Sequence, residues 1–325
     1  MANAKELRIV FMGTPEFSVP SLRGVVEAGY NVVGVVTTPD RAAGRGQKLY
    51  ECDVKREALR LGLPILQPQS LKDEGFLKAL RAWEPDLGIV IAFRMLPEVV
   101  WAMSKHGTFN LHASLLPDYR GAAPINHAII NGDKKSGVTT FLLNHKIDQG
   151  AIIAQREVEI LKEDNVGTLY ERLMNIGVDE VIRTIELIAS GEYTPITQEH
   201  IDESTLRPAP KIFKENCLID WSWSGTRIVN FVRGLSPYPA AWCNLTPLDQ
   251  TLPATTAKVF DVRFDPSKRD LAVGEVESDE RTYIGIGCAD GTIYIESIQL
   301  SGKKRLSTQE LLRGFRSISN YKVEK

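Results

Sequence analysis

In the first part of the chain, apolar residues come in short unbroken runs separated by segments of helical spacing. "LRIVFMG" (Leu7 to Gly13) leads through a proline-bearing turn to "SLRGVVEAG" (Ser21 to Gly29) and then to "NVVGVVTT" (Asn31 to Thr38). The pattern predicts strand, helix, strand. "LGIVIAF" (Leu87 to Phe93) and "GTFNLH" (Gly107 to His112) are further runs of the first kind, and Leu71 to Trp83 has helical spacing. Runs with no polar alternation belong to strands covered on both faces, so a doubly wound α/β domain with a mostly parallel sheet is expected. In such sheets ligands sit beyond the carboxyl ends of the strands.

From Gly167 to Glu192 apolar residues recur at helical spacing, with Gly191 as a stop signal. The polar, proline-bearing stretch that follows, "YTPITQEHIDESTLRPAPKI", has no periodicity and reads as a surface linker. After a helix candidate at Ser224 to Leu235 the pattern changes to short alternating strands: "AAWCNL", "AKVFDVRF", "VGEVES" and "TYIGIGCADGTIYIESIQL". "ADGT" marks a hairpin, and the set suggests a small antiparallel, OB-like barrel. The expected division is a catalytic domain over 1–192, a linker over 193–211 and the barrel over 212–325.

Composition changes this picture little. The 325 residues are 43% hydrophobic and 25% charged with a formal net charge of −2, which excludes disorder and an overall basic coat for nucleic acid. Residues 209–325 carry 16 Lys or Arg against 14 Asp or Glu, so the barrel is only mildly basic, though Lys303, Lys304 and Arg305 cluster near its end. The four cysteines form no C-x-x-C pair, and no His, Cys, Asp or Glu cluster has metal-ligand spacing, so neither disulfides nor a metal are expected. With no signal segment and no apolar stretch of membrane-spanning length, a cytoplasmic protein is expected.

The chemistry concentrates in "FNLHASLLPDYRGAAPIN" (Phe109 to Asn126). On an extended chain Asn110 and His112 point the same way. An amide and an imidazole facing one cleft can stabilise the oxyanion of an acyl group under attack, and the imidazole can move a proton. "HKIDQGAIIAQ" supplies Asp148, a carboxylate in a turn that could reach the same cleft. Taken singly, each has an ordinary alternative: a histidine near a strand end is commonly structural, and Asp before glycine is commonly a turn residue. "FMGTPEF" contains neither a dinucleotide fingerprint nor a P-loop. "TTPDRAAGRGQKLY" (Thr37 to Tyr50) is a basic loop that could follow a phosphate backbone or simply lie solvated on the surface.

Together these stretches resemble the methionyl-tRNA formyltransferase family over nearly the whole length. "NLHASLLPDYRG" is similar to the N-x-H-x-S-L-L-P-x-x-R-G signature of enzymes that use 10-formyltetrahydrofolate, and "IDQGAII" to the segment carrying their essential aspartate. "FMGTPEF", "TTPDRAAGRGQKL", "APKI" with "IDWSWS", "LSPYPAAW" and "SGKKRLSTQELLRG" favour the tRNA enzymes over their relatives. The resemblance implies a catalytic trio of Asn110, His112 and Asp148. It implies folate contacts at Ser114, Leu115, Leu116 and Pro117, with Phe93, Arg94 and Leu96 beside them. It further implies tRNA contacts at Arg41, Arg45 and Lys48 in the basic loop and at Lys303, Lys304 and Arg305 in the barrel. The expected donor is 10-formyltetrahydrofolate, the expected acceptor initiator Met-tRNA, and the expected state a monomer. Ala42, Phe93, Arg94, Ala113 and Gln149 depart from common family residues without touching the trio. A formyltransferase acting on an amino-sugar nucleotide would share the trio, and a tRNA-binding module without activity would share the barrel.

Overall fold

The computed structural model describes residues 3–43, 48–198, 201–249 and 253–324, which form two compact units. The first comprises residues 1–121, 136–158 and 170–208, and the second residues 122–135, 159–169 and 209–325. In chain order the elements are β1 (Ile9–Gly13), α1 (Val19–Glu27), β2 (Val32–Val36), β3 (Arg41–Ala43), β4 (Lys48–Tyr50), α2 (Asp53–Arg60), β5 (Ile65–Leu66), α3 (Glu74–Ala82) and β6 (Leu87–Ile91). There follow α4 (Glu98–Trp101), β7 (Thr108–His112), α5 (Pro124–Ile130), β8 (Lys135–Leu142), β9 (Ile152–Glu159) and α6 (Val166–Ser190). The last group is α7 (Gly225–Leu235), β10 (Ala241–Pro247), β11 (Thr255–Asp265), β12 (Val276–Ser278), β13 (Ile284–Cys288), β14 (Gly291–Leu300), β15 (Leu306–Ser307), α8 (Thr308–Leu312) and β16 (Tyr321–Glu324).

The sheet of the first unit has the order β5-β2-β1-β6-β7-β8-β9. The pairings β2 with β5, β1 with β2, β1 with β6 and β6 with β7 are parallel, and β7 pairs antiparallel with β8. The unbroken apolar runs are the reason: all five residues of β1 and of β6 are buried, as strands covered by helices on both faces require. On one face Val10, Met12, Val36 and Val90 pack with Phe76, Leu77 and Leu80 of α3. That helix is started by Asp73, whose side chain accepts from the Phe76 N–H at 2.8 Å. The mostly parallel α/β expectation therefore holds.

The second unit is built on a sheet of order β12-β13-β14-β11-β10-β16, with β15 pairing β14, and every pairing described is antiparallel. Its two edges approach: Glu275 bridges Lys322, and the Val323 N–H donates to the Gly274 carbonyl. The result is a nearly closed barrel, as the short alternating strands predict. Its core includes Val259, Ile286, Ile293, Ile295 and Ile298, with Ile228 and Val232 of α7 packed among them. The hairpin expected at "ADGT" is there, with Cys288 paired to Gly291 across a two-residue turn.

The two compact units divide the chain differently from the expected boundaries at two places. Residues 122–135 and 159–169, placed by the sequence in the catalytic domain, group with the barrel. Asn126 of α5 donates to the Gly234 carbonyl of α7, and Arg233 donates to the carbonyls of Leu161, Lys162 and Asp164. The stretch expected as a linker groups as far as Pro208 with the first unit, because its backbone and side chains are hydrogen-bonded there. Ile196 bridges Ile152, and the Tyr119 N–H donates to the Arg207 carbonyl. Among the described residues all four cysteines are free and buried, no three His, Cys, Asp or Glu could hold a metal, and no helix is long and apolar enough to cross a membrane.

The carboxylate of Glu57, only 7% exposed, joins α1 to α2: it accepts from Arg60 of its own helix and from Arg23 of α1, both at 2.7 Å. Arg60 and then Arg23 hold its pKa down to about 2. A depressed carboxyl stabilises the fold above its unfolded pKa and loses that contribution as pH falls through the folded value. Both guanidiniums are about half exposed, so Glu57→Gln should cost about 1–2 kcal/mol at neutral pH. In urea unfolding the gap between wild type and variant should hold from pH 7 to about 5 and close toward pH 2. A gap that does not change with pH would show that the charge is not what stabilises the contact.

Candidate active site

Strand β7 sets the site. Phe109 and Leu111 face one way into the core, and Leu111 lies against α6 where Gly177 leaves room, since a Cβ there would be 2.8 Å from the Leu111 side chain. The alternate residues Asn110 and His112 share the other face. Asn110 is paired across the sheet with Val90 of β6 and Phe141 of β8, which centres it between two neighbouring strands. Its amide makes no side-chain hydrogen bond with any described residue, so both its N–H groups and its oxygen are open to a ligand.

His112 is 7% exposed, and its Nε2 lies 2.9 Å from the Tyr119 carbonyl. A carbonyl only accepts, so Nε2 carries a proton and Nδ1 is the nitrogen at which protonation can change. Nδ1 faces Asp148, with Oδ2 at 3.9 Å, an ion-pair separation longer than a hydrogen bond. The same Oδ2 accepts from the Gly121 N–H at 2.9 Å. Asp148 has φ of 53°, in the left-handed region that costs most side chains about 1–2 kcal/mol and that Asp tolerates better than most. Two residues on, Gly150 can only be glycine: a Cβ there would lie 1.6 Å from the Leu142 carbonyl oxygen.

The loop after β7 is pinned by its own polar groups. Ser114, fully buried, donates to the Asp118 carbonyl at 2.8 Å, while Thr139 donates to the Ser114 carbonyl at 2.6 Å and accepts from the Leu116 N–H at 3.1 Å. Gln155 donates to both the Leu116 carbonyl and Thr139 Oγ1. Of the expected folate contacts, the Ser114 hydroxyl is therefore turned inward and Leu116 packs with Phe141 and Ile152, whereas Leu115 and Pro117 are half-buried. Phe93, Arg94 and Leu96 follow β6, the parallel neighbour of β7, so they leave the same end of the sheet. Leu96 is core, and Phe93 packs against the same cluster. Arg94 donates to the Gln69 and Pro68 carbonyls, and its buried Nε has no partner among the described residues. Burial, then the charge of Arg41, pulls the Arg94 guanidinium below its ordinary pKa.

Arg41 is exposed on β3, opposite Tyr50, and Lys48 belongs to the paired β4. Arg45 lies outside the described residues. Lys303, Lys304 and Arg305 are exposed at the turn between β14 and β15, with Arg305 stacked 4.4 Å from the Phe260 ring. The barrel unit also holds a cavity of about 850 Å³ whose lining includes Lys211, Lys214 and Lys258 with Phe213, Tyr238 and Trp242. Sequence reasoning assigned no role to Thr139, Gln155 or Arg207. Two threonines inside the otherwise apolar "GVTTFL" were a usable signal, since a buried hydroxyl needs a partner.

Residues 7–185 match the family model described as formyl transferase, and residues 211–316 match the formyl transferase C-terminal domain. A methionyl-tRNA formyltransferase of Bacteroides thetaiotaomicron is 52% identical over 320 residues, covering 98% of this chain and 99% of its own. One from Flavobacterium johnsoniae is 48% identical over 319 residues, with 98% and 99% covered. Among solved structures, WlaRD, a sugar 3N-formyl transferase, superposes with a TM-score of 0.63 at 20% identity, covering 92% of this chain and 99% of that one. HypX from Aquifex aeolicus gives 0.61 at 20% identity, covering 94% of this chain and 47% of that one. These two share the fold. With both domains matched and about half its residues identical to such relatives over nearly its full length, the chain belongs to the formyl transferase family, in its methionyl-tRNA formyltransferase branch.

Proposed function

We propose that this enzyme moves the formyl group of 10-formyltetrahydrofolate to the free α-amino group of methionine on initiator tRNA. The observation that carries the reading is that Asn110 and His112 share one face of β7, with Asp148 3.9 Å from the His112 ring. The bound names agree in chemistry. The HypX structure is described as a complex with tetrahydrofolic acid, and that of WlaRD as determined with 5-N-formyl-THF present.

The amine nitrogen attacks the formyl carbon, and the carbonyl electrons move onto oxygen. The open Asn110 amide donates to that oxyanion; it cannot titrate, so it polarises and positions only. His112 meets the reacting groups through Nδ1, the nitrogen not committed to Tyr119, and the Asp148 carboxylate facing Nδ1 orients the ring and assists proton movement there. The carbon–nitrogen bond to the folate N10 then breaks, N10 takes up a proton, the amine gives one up, and tetrahydrofolate and formyl-methionyl tRNA leave. Ser114 to Pro117 with Phe93, Arg94 and Leu96 would border the folate, and the backbone of the pinned loop offers it fixed polar groups. In the barrel unit, the exposed run Lys303 to Arg305 and the cavity combining three lysines with three aromatic rings suit a phosphate backbone and its bases. The enzyme acts as a monomer in the cytoplasm, with Arg41, Arg45 and Lys48 on the acceptor end of the tRNA.

Offered 10-formyltetrahydrofolate with charged initiator Met-tRNA, charged elongator Met-tRNA and an amino-sugar nucleotide in parallel, the enzyme should formylate the initiator. Transfer only to the sugar would overturn the acceptor, and no transfer to any would overturn the activity. Asn110→Ala, His112→Ala and Asp148→Ala should each lower kcat by about 10²–10⁴-fold with the fold intact by circular dichroism. A near-normal kcat in any of them removes that residue from its role. Replacing Lys303, Lys304 and Arg305 together with alanine should weaken tRNA binding and flatten the slope of log K against log salt by about 2–3. An unchanged slope would place the stem elsewhere.

A further inference from the structure

The segment read from sequence as a linker contributes a residue to the frame of the site. Gln198 is 6% exposed, although it lies in irregular chain after α6. Its Nε2 donates to the carbonyl of Asp148 at 3.1 Å and to that of Gly150 at 2.7 Å, and its Oε1 accepts from Arg120 Nη2 at 2.9 Å. Both amide hydrogens and the oxygen are thus engaged, and only one orientation works: a flipped amide would set oxygen against two carbonyls and N–H against a guanidinium. Arg120 adjoins Gly121, whose N–H holds the Asp148 carboxylate. Two neighbouring residues of the same loop therefore fix Asp148 at both ends, Gly121 directly at the side chain and Arg120 through Gln198 at the backbone.

The backbone end is the one that needs fixing. Asp148 has a positive φ, and a turn relaxing to ordinary φ would swing the carboxylate away from His112. The neighbouring carboxylates are engaged with arginines instead: Glu203 faces Arg120 at 3.8 Å, and Asp118 is paired with Arg207 at 2.6 Å.

We propose that Gln198 is a positioning residue for formyl transfer, one that locks the turn carrying Asp148 so that its carboxylate stays opposite Nδ1 of His112. The inference rests on the roles given above to His112 and Asp148. An anchor for Arg120 alone would need only an acceptor, whereas holding the Asp148 turn needs two donors, and this separates the two roles.

The test compares full-length wild type with Gln198→Met and Gln198→Glu. Glutamate keeps and strengthens the acceptor for Arg120 but turns oxygen toward the carbonyls of Asp148 and Gly150. Both variants should lose about 10–100-fold in kcat, with KM for the folate donor and for tRNA changed by less than about threefold. Rates are taken per folded protein, with thermal unfolding recorded for each. The ring resonances of His112 in NMR, assigned with His112→Ala, should change in chemical shift in both variants at fixed pH, because the carboxylate opposite Nδ1 moves. Wild-type kinetics with unchanged His112 ring resonances in Gln198→Glu would overturn the proposal and leave Gln198 as an anchor for Arg120. A loss of rate that only tracks the unfolded fraction would overturn it as well. Failure of wild type to transfer formyl to any acceptor would sink the functional reading instead, while the NMR comparison would still decide whether Gln198 governs the surroundings of His112.

Discussion

One backbone hydrogen bond governs the rest of the site: the Tyr119 carbonyl accepts from Nε2 of His112 at 2.9 Å. It fixes the ring plane, assigns the proton on Nε2, and leaves Nδ1 as the atom that can exchange a proton opposite Asp148. The carbonyl points that way only because Tyr119 itself adopts a left-handed φ of 61°. That conformation is unfavourable for a bulky residue, so the surroundings must impose it. They do so from three sides, through the Ser114 bond to the Asp118 carbonyl, the Arg207 carbonyl that takes the Tyr119 N–H, and the Arg207 guanidinium on the Tyr119 ring at 4.8 Å. The polar residues of this loop are structural in their contacts, and their effect on chemistry passes through the orientation of one imidazole.

How much of this was legible in the sequence depends on whether a regular period carried the information. β1 and β6 were readable because burial on both faces leaves an unbroken apolar run, and Asn110 with His112 because a strand repeats every two residues. The loop from Ser114 to Pro117 has no period, so nothing in its order says that the Ser114 hydroxyl turns inward while Pro117 stays half-buried. Gln198 was less visible still. Its partners lie 50 and 78 positions away on two other loops, and a glutamine in a polar, proline-bearing stretch looks the same whether solvated or buried. The regrouping of α5 with the barrel was hidden for a related reason: its apolar residues announce a packed face without naming the face they meet.

The placement of the three candidate groups also divides precision from adjustability. Asn110 and His112 stand on a central strand whose position is fixed by hydrogen bonds to β6 and β8, and a shift of register there would move them by a whole residue, about 3.3 Å. Asp148 stands on a turn, where small changes in φ and ψ move a carboxylate by tenths of an ångström. An element that must respond to the charge state of the ring is better placed there, provided the turn cannot drift. The Gly121 N–H restrains the carboxylate and Gln198 the backbone of the turn, and neither bond involves the imidazole. The carboxylate therefore stays opposite Nδ1 without swinging toward it, and reorganisation of the site during proton transfer is kept small.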